Sequence, residues 1–485
     1  MKLFHCTALA LALAAAFPAQ AQSNADVMKE LQALKDKVAE LEHKLKAQEP
    51  KAAPAAAGAA AAAGTAGTAQ WGMTPDQTRE LNRATMKAEA TEDAMESQGL
   101  KLLKISGFMD PTYLYNQRQN QAGFQFLNAI PDGGFGYDNS FFGMAWIDFQ
   151  KEMEGGTKWR LTLSPNRGVG AGIDSPSIVH EASVAIPLGD LQTRIIAGQI
   201  PDWSGYEYLP PTQNKLITHN LLFDFTLPFT YTGAGMEYVR GKWWSRWMLA
   251  NVNASKRNPG ETAPAFVYRV DYSRGEFQGF GFAGLHGKAA NFRPYSSVDG
   301  SVLNNLNGDA LSTSDTRTDL FEIDGYFIRG DWTLQGQLSY GQQKRTAITL
   351  DANGNAQDAR WYGASGLVGY KFMPRWELVG RVDYLNNSKN GGGLLGYTLA
   401  DGHNGIGPDA TLGCDPDTAV SGDGCNKGAN RTALSLGLSW LYNVNTTFKA
   451  EARFDQANLP VFHDLKTDTY RKSNNVFGTS VVVSF

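Results

Sequence analysis

Residues 359–388 read ARWYGASGLVGYKFMPRWELVGRVDYLNNS, and this stretch decides the fold because its residue types alternate with a period of two. Apolar and small residues share one face of two successive strands, at Tyr362, Ala364, Gly366, Val368, Tyr370, Phe372, Trp376, Leu378, Gly380, Val382 and Tyr384. The opposite face of the second strand carries Glu377, Arg381 and Asp383, and the turn lies at Met373-Pro374. Since successive side chains of a strand point to opposite faces, the segment predicts an antiparallel hairpin with one apolar and one charged face.

The same alternation recurs between residues 101 and 485. Two further hairpins have apolar faces at Phe321, Ile323, Gly325, Phe327, Trp332, Leu334, Gly336, Leu338 and Tyr340, and at Leu434, Leu436, Leu438, Trp440, Tyr442, Phe448, Ala450, Ala452 and Phe454. These strands run to about 12 residues, which suffices to cross a bilayer at a tilt. Aromatic residues cluster near the strand ends, and short turns alternate with long loops. The predicted fold class is all-β, a transmembrane antiparallel β-barrel; a soluble sandwich with a dry core is the alternative.

The tight turns set the strand count. They fall near Gly155-Gly156, Gly189-Asp190, Gly241-Lys242, Gly275-Glu276, Gly330-Asp331, Met373-Pro374 and Asn443 to Asn445. Seven such turns on the periplasmic side, with both ends of the barrel domain on that side too, imply about 16 strands, and barrels of this kind have an even number. The strand boundaries leave about 14 or 18 strands open.

The composition is compatible with a barrel and excludes other classes. A formal net charge of −4 over 485 residues offers no basic surface for nucleic acid. The mean hydropathy is −0.33, and no internal stretch approaches the roughly 20 apolar residues of a membrane helix. The chain is nevertheless rich in glycine and aromatic residues, with 52 Gly and 25 Phe. Lipid-facing and lumen-facing residues of a barrel cancel in such averages.

The N-terminus predicts export. Lys2 precedes an apolar run from Ala8 to Phe17, and Ala19-Gln20-Ala21 matches a signal-peptidase site. A membrane anchor is the alternative, although the apolar run is too short to span. The predicted domains are a signal peptide (1–21), a coiled coil (22–49), an Ala/Gly/Pro linker (50–72), a periplasmic helix (73–100) and the barrel (101–485).

The coiled coil is predicted from an apolar seam at spacings of four and three, formed by Val27, Leu31, Leu34, Val38, Leu41 and Leu45. With Leu31 at an a position, the pairs Glu30–Lys35 and Lys37–Glu42 attract each other in a parallel arrangement. The pattern therefore favours a parallel homo-oligomer, and a lone amphipathic helix is the alternative. The seam alone does not choose between two chains and three.

Two cysteines remain after removal of the signal peptide. In an exported protein Cys414 and Cys425 predict a disulfide across one short loop. The nearby aspartates offer Ca²⁺ binding as an alternative, but their spacing matches no known calcium loop, so neither a metal nor a cofactor is predicted.

The C-terminal strand ends with Val481, Val483 and Phe485 on one face. A terminal phenylalanine closing such a strand resembles the assembly signal of Gram-negative outer-membrane barrels, and the whole plan resembles the porin superfamily. A coiled coil, a linker and a barrel in this order are similar to the phosphate-selective porin-like families. The resemblance implies a homotrimer in outer-membrane lipid, inserted by the barrel assembly machinery, that passes small hydrophilic solutes.

The third long loop is predicted to narrow the lumen. It reads PDWSGYEYLPPTQNKLITHNLLFDFTLPF over residues 201–229 and is unusually apolar for a loop in water. It resembles the pore-narrowing third loop of porins in place and length. Its charged rim would be Asp202, Glu207, Lys215 and Asp224. Packing at an oligomer interface is the alternative.

The inward phase of the strands predicts the pore lining as Arg160, Arg194, Arg246, Arg269, Glu322, Asp324, Glu377, Arg381, Asp383, Lys449, Glu451 and Arg453. Opposed charges in a lumen sort hydrated solutes, although such charges also pair across strands and only brace the wall. The apparently isolated Arg160, Arg194 and Arg246 predict a basic constriction with weak anion preference or charge-independent diffusion.

The predicted function is passive diffusion through a porin, and no enzyme is predicted. A barrel that serves as a structural tether or adhesin is the alternative, and a barrel hydrolase is the less favoured one. A hydrolase needs a histidine with a serine or aspartate partner near the rim. The sequence contains neither a serine-centred elbow nor an H-E-x-x-H motif.

Overall fold

The computed structural model describes residues 79–87, 90, 100–127, 142–164, 178–252, 264–289, 316–347, 357–387, 389, 405–412 and 427–485. The predicted signal peptide, coiled coil, linker and cysteine pair lie outside the described residues, and the predicted domain limits stay a prediction. Residues 79–87 are α-helical and exposed. In the described part of the chain, no helix is both long and apolar enough to cross a membrane.

Strands dominate the described residues. They are β1 Leu103–Met109, β2 Thr112–Asn116, β3 Gln121–Gln125, β4 Ala145–Glu152, β5 Lys158–Leu163, β6 Val179–Leu188, β7 Asp190–Pro201, β8 Thr230–Arg240, β9 Trp243–Val252, β10 Ala265–Ser273, β11 Gln278–Ala289, β12 Thr316–Arg329, β13 Trp332–Gln343, β14 Ala359–Met373, β15 Trp376–Asn386, β16 Arg431–Asn443, β17 Thr446–Ala457, β18 Phe462–Asp464, β19 Thr469–Arg471 and β20 Ser473–Ser484. A short α-helix spans Leu221–Thr226, and a 3-10 turn spans Ala410–Leu412.

The strands close into one antiparallel barrel. Consecutive strands pair from β4 to β17, and β20 pairs with β17 on one side and with β1 and β2 on the other. Since β2 pairs with β3 and β1 pairs with β4, these four segments make two wall strands, each interrupted once. The eighteen-stranded sheet is therefore a barrel of sixteen wall strands, which confirms the predicted fold class and count. The hairpin β18–β19 forms a separate two-stranded sheet.

The two ends of the barrel differ. All seven predicted tight turns are present, and they lie at one end, here called the short-turn end. The barrel also begins and finishes there, because Leu103 pairs with Lys151 beside the first turn, and Phe485 exchanges two backbone hydrogen bonds with Gly107. The longer connections, such as residues 202–229, lie at the opposite, long-loop end.

The two faces of the wall differ as predicted. The outer face is apolar, with exposed residues such as Leu334, Leu338 and Leu436. Aromatic rings mark the strand ends, where Trp376 stacks on Trp440 with ring centroids 5.3 Å apart. The inner face carries the polar and charged side chains, most of them buried. A sandwich with a dry apolar core is thereby excluded.

Candidate functional site: the lumen and its third loop

The third loop folds into the barrel. Residues 202–229 connect β7 to β8 and are the third connection at the long-loop end. Most of the loop is buried, and its short helix packs against β13, β14 and β15. Asn220 caps this helix, because its side-chain oxygen accepts hydrogen bonds from the backbone N–H groups of Leu222 (2.9 Å) and Phe223 (2.8 Å). The apolar loop thus escapes water by packing on the inner wall.

Glycines on the inner face make room for the loop. A Cβ at Gly363 would overlap the side chain of Leu222, and a Cβ at Gly437 would overlap the side chain of Leu216. Gly366 lies on the outer face of the same strand as Gly363, and a Cβ there would meet nothing. The inner glycines therefore let the loop and the wall approach closely. Glycine within a strand often marks such a close approach.

Arg381 on β15 is the centre of the contact between the loop and the wall. Its side chain is 0% exposed. It pairs with Glu207 of the loop at 2.8 Å and with Asp383 of its own strand at 3.0 Å. It also donates to the backbone oxygens of Thr218 (2.7 Å) and His219 (2.8 Å). One guanidinium thereby ties two distant parts of the loop to the wall.

Strand β17 supplies three more anchors. Glu451 accepts hydrogen bonds from the backbone N–H groups of Ile217 (2.7 Å) and Thr218 (2.8 Å). The ammonium of Lys449 donates to the backbone oxygens of Pro211 (2.7 Å) and Asn214 (2.6 Å). These bonds reach main-chain groups of the loop. Glu451 and Lys449 therefore fix the path of the loop backbone and do not depend on which side chains the loop carries.

The third anchor of β17 is Arg453, which donates to the backbone oxygen of His219 at 2.9 Å and lies 3.6 Å from a carboxylate oxygen of Asp224. Its other carboxylate partner is Asp455, at 3.1 Å. Together with Arg381 it surrounds His219 with positive charge. Burial, with these arginines, lowers the pKa of His219 to about 3.

Burial also changes the acidity of the loop carboxyls. It raises the pKa of Glu207 to about 7, against the opposing attraction of Arg381. It raises the pKa of Asp202 to about 6, although Tyr231 and Ser204 donate hydrogen bonds to this carboxylate. Burial likewise raises the pKa of Asp224 well above its usual value.

The four charged residues predicted as a rim lie on the third loop, and each has a bonded partner. Glu207 and Asp224 are buried against arginines of the wall. Lys215 pairs with Glu377 of β15 at 2.5 Å. Asp202 holds the start of the loop through Ser204. These charges anchor the loop to the wall, because a buried charge is tolerated only beside a partner.

The opposite half of the lumen, along β4 to β9, contains a cavity of about 670 Å³. The three predicted arginines Arg160, Arg194 and Arg246 all line it, together with Trp203 of the loop. The carboxylates of Glu152, Glu181 and Glu237 line it as well. The structure therefore brings together residues that the sequence placed on three separate strands.

These arginines are not all isolated, which corrects the prediction. Arg160 pairs with Asp148 at 2.9 Å and with Glu181 at 3.1 Å, yet its side chain is 39% exposed. Arg194 lies 3.9 Å from Glu152 and donates to the backbone oxygen of Leu191 at 3.1 Å. Its side chain thus reaches the turns at the short-turn end.

Arg246 is different, because aromatic rings stack on its guanidinium group, and its register neighbour Glu237 makes no ion pair with it. Its guanidinium carbon lies 4.6 Å from the ring centre of Trp203 and 4.5 Å from that of Trp244. Among the described residues it makes no ion pair. Its stacking between two indoles is a cation–π arrangement. The positive charge of Arg246 is therefore the least neutralised of the three.

The other predicted inner residues also lie on the inner face. Arg269 pairs with Asp324 and Asp271, both at 2.7 Å, and donates to the backbone oxygen of Trp203, also at 2.7 Å. Glu322 is 0% exposed on the inner face of β12. The sequence pattern predicted that Arg269 points into the lumen. It did not predict that Arg269 binds the backbone of the third loop.

Some residues of the site were missed by the sequence analysis. Arg431 is fully buried and pairs with Asp455 at 2.7 Å, and the inner glycines Gly363 and Gly437 were not predicted as contacts of the loop. Trp203 was seen as part of an apolar loop but not as the ring that covers Arg246. The signal for the glycines was available, since a glycine on the inward phase of a long strand marks a close approach.

A closed antiparallel barrel of sixteen strands, apolar outside and with its third loop folded inside, has the fold of a transmembrane β-barrel. Within that class, the chain belongs to the family described as "Protein of unknown function (DUF3138)", whose model matches residues 1–485.

Solved structures similar to the chain are outer-membrane proteins. It resembles the outer membrane channel DcaP of Acinetobacter baumannii at 11% identity and a TM-score of 0.49, over 79% of this chain and 97% of that one. OmpF of Salmonella typhi, in complex with daunomycin, has 10% identity and a TM-score of 0.49 over the same shares. OmpT of Vibrio cholerae, in a trimer form, has 11% identity and a TM-score of 0.47 over 79% and 99%. No curated protein matches the sequence.

Proposed function

We propose that this protein is an outer-membrane porin through which small hydrophilic solutes diffuse passively, with the cavity along β4 to β9 as part of their path. The observation that carries the proposal is the division of the lumen. The third loop fills the side of β10 to β17 with bonded charges, and the opposite side keeps a cavity of about 670 Å³ lined by charged side chains.

The selectivity we propose is a weak preference for anions. Arg160 and Arg194 lie near the glutamates of the cavity, so much of their charge is compensated. Arg246 has aromatic neighbours instead, and its charge persists at any working pH. Lys104, Lys151 and Lys158 line the same cavity, so its cations outnumber its three glutamates. Such a wall attracts anions modestly and does not exclude neutral solutes.

The proposal is tested by replacing Arg160, Arg194 and Arg246 together with glutamine. The reversal potential of the purified protein in planar bilayers, under a salt gradient, should shift toward cations, since three positive charges leave the path. The matched control replaces Arg240, Arg274 and Arg329, which are exposed outside the lumen, and should leave the reversal potential unchanged. Equal shifts in both variants, or none in either, would contradict the assignment.

We also propose the predicted domain order and a homotrimer whose N-terminal helices lie in the periplasm. The support is the apolar seam from Val27 to Leu45 and its attractive charge pairs. Deleting residues 22–49 should lower the stability of the trimer and leave single-channel conductance unchanged. An equally stable trimer after the deletion would assign the coil another role, such as contact with peptidoglycan.

A structural tether or adhesin is the second candidate, and an enzyme the third. The cavity beside the docked loop favours a channel over both. Single-channel recording separates the candidates, because a porin gives discrete conductance steps, whereas a tether with a sealed lumen gives none. If the purified protein hydrolysed peptide or ester substrates and showed no conductance, the result would favour an enzyme.

A further inference from the structure

The outer face of β11 to β14 carries a row of polar side chains at the long-loop end. His286, Asp319, Gln342 and Arg360 are direct register neighbours on four consecutive strands. All four point away from the lumen, because the adjacent residues Leu285, Leu320 and Ala359 are buried on the inner face. Polar side chains on the outside of a membrane barrel are costly near the bilayer centre and cheap near its surface.

The depth of the row follows from the aromatic residues beside it. Phe321, Tyr340 and Tyr362 are also register neighbours, and each lies two residues closer to the middle of its strand than a member of the polar row. All three rings are exposed on the outer face. Such rings mark the membrane–water interface of a barrel. The polar row therefore lies just beyond that interface, at the level of lipid headgroups.

The row has more positive than negative charge. Asp319 is its only carboxylate and is already shared, since His286 and Gln342 lie 3.1 and 3.2 Å from it. Arg317 lies 3.4 Å from Asp319, but its side chain is 72% exposed. Arg360 is exposed and makes no ion pair with any residue in the described ranges. Both guanidinium groups are exposed, and each has N–H donors directed away from Asp319 that an anion from outside can accept.

The charge is not repeated on the outer face of β6 to β9. At the same end of the barrel, Ala182, Gln199, Thr232 and Asn251 are the corresponding register neighbours on the outer face of β6 to β9. None of these four residues is charged. A general need for polarity at the membrane surface is met there by neutral side chains. The arginines of β12 and β14 thus require a separate explanation.

We propose that this row binds the phosphate groups of lipid headgroups in the leaflet at the long-loop end. Guanidinium groups match the oxygen geometry of phosphate and form charge-assisted hydrogen bonds with it. A lipid phosphate is the anion that the membrane itself presents at this depth, next to the aromatic rings that contact its acyl region. The inference requires the barrel to be in a membrane but is independent of whether the lumen conducts.

The test measures lipid retention by native mass spectrometry. The folded, delipidated protein is mixed in detergent with lipid A that carries either two phosphates or one. The wild type should retain more of the two-phosphate form. The double variant R317Q/R360Q should lose retention by about fivefold per arginine, the effect of one basic side chain at a membrane surface. The charge-retaining variant R317K/R360K should keep most of it.

The matched control is R240Q/R329Q, which removes two exposed arginines from the same outer face at the short-turn end. It should retain lipid A as the wild type does. Equal losses in both double variants, or retention that ignores the number of phosphates, would overturn the proposal. A changed oligomeric state with unchanged lipid retention in R317Q/R360Q would also overturn it, because the row would then contact a second protein chain.

Discussion

Arg381 and Arg160 allow the two halves of the lumen to be compared directly. Each is an inward arginine paired with two carboxylates, Glu207 and Asp383 for the first and Asp148 and Glu181 for the second. Their exposure differs completely, because the side chain of Arg381 is 0% exposed and that of Arg160 is 39% exposed. The third loop covers the wall at Arg381 and leaves it open at Arg160.

The comparison teaches that inward phase and ion pairing do not by themselves define a pore residue. The strand pattern points both arginines into the lumen. What lies opposite decides whether a charge holds a loop in place or faces the solute. A buried pair is also far more sensitive to loss of one partner than an exposed pair, since the remaining charge is left without solvent.

The largest expected difference between the halves concerns these two arginines. Arg381→Met should destabilise the docked loop by about 3–5 kcal/mol, because Glu207 and Asp383 lose a buried partner. Arg160→Met should cost about 1 kcal/mol or less, because the pair is partly solvated. Trypsin cleavage after Lys215 in the loop, followed over time, reports the open population. Equal cleavage rates in the two variants would break the comparison.

A smaller effect is expected from filling the inner glycine positions. Gly437→Leu should displace the loop from β16, because the new side chain needs the space of Leu216; overpacking of this kind costs about 1–3 kcal/mol. Single-channel conductance should change as the loop shifts in the lumen. Gly366→Leu is the control, since its side chain would point into open space on the outer face, and its conductance should equal that of the wild type.

The smallest effect is expected on the stability of the docked loop when the pH is lowered. The pKa of His219 falls to about 3 in the docked loop, so the docked state disfavours the charged ring, and stability is lost as the pH falls from about 6.5 toward 3. His219→Gln removes this contribution and leaves that of Glu207, which has the opposite sign because its pKa is raised. Between pH 7 and 4 the wild type should therefore lose more loop protection from trypsin than His219→Gln. Parallel pH profiles would contradict the role of His219.

The sequence predicted most of the barrel and less of its lumen. The hairpin at residues 359–388 and the seven turns were enough for the sixteen strands, because a period-two pattern specifies both strand and face. The inward placement of the third loop followed from its apolar composition. Which residues it would contact did not, since Glu207 and Arg381 are 174 residues apart.

The sequence by itself thus determined the strands, their phase and the end at which the loops gather, because each of these depends on neighbouring residues and on the length of the chain between turns. Only the tertiary structure decided which charges are structural. That choice depends on where the third loop lies across the lumen, and the loop is positioned by glycines, carboxylates and arginines from at least four strands at once. Such a set of long-range contacts leaves no local pattern in the sequence.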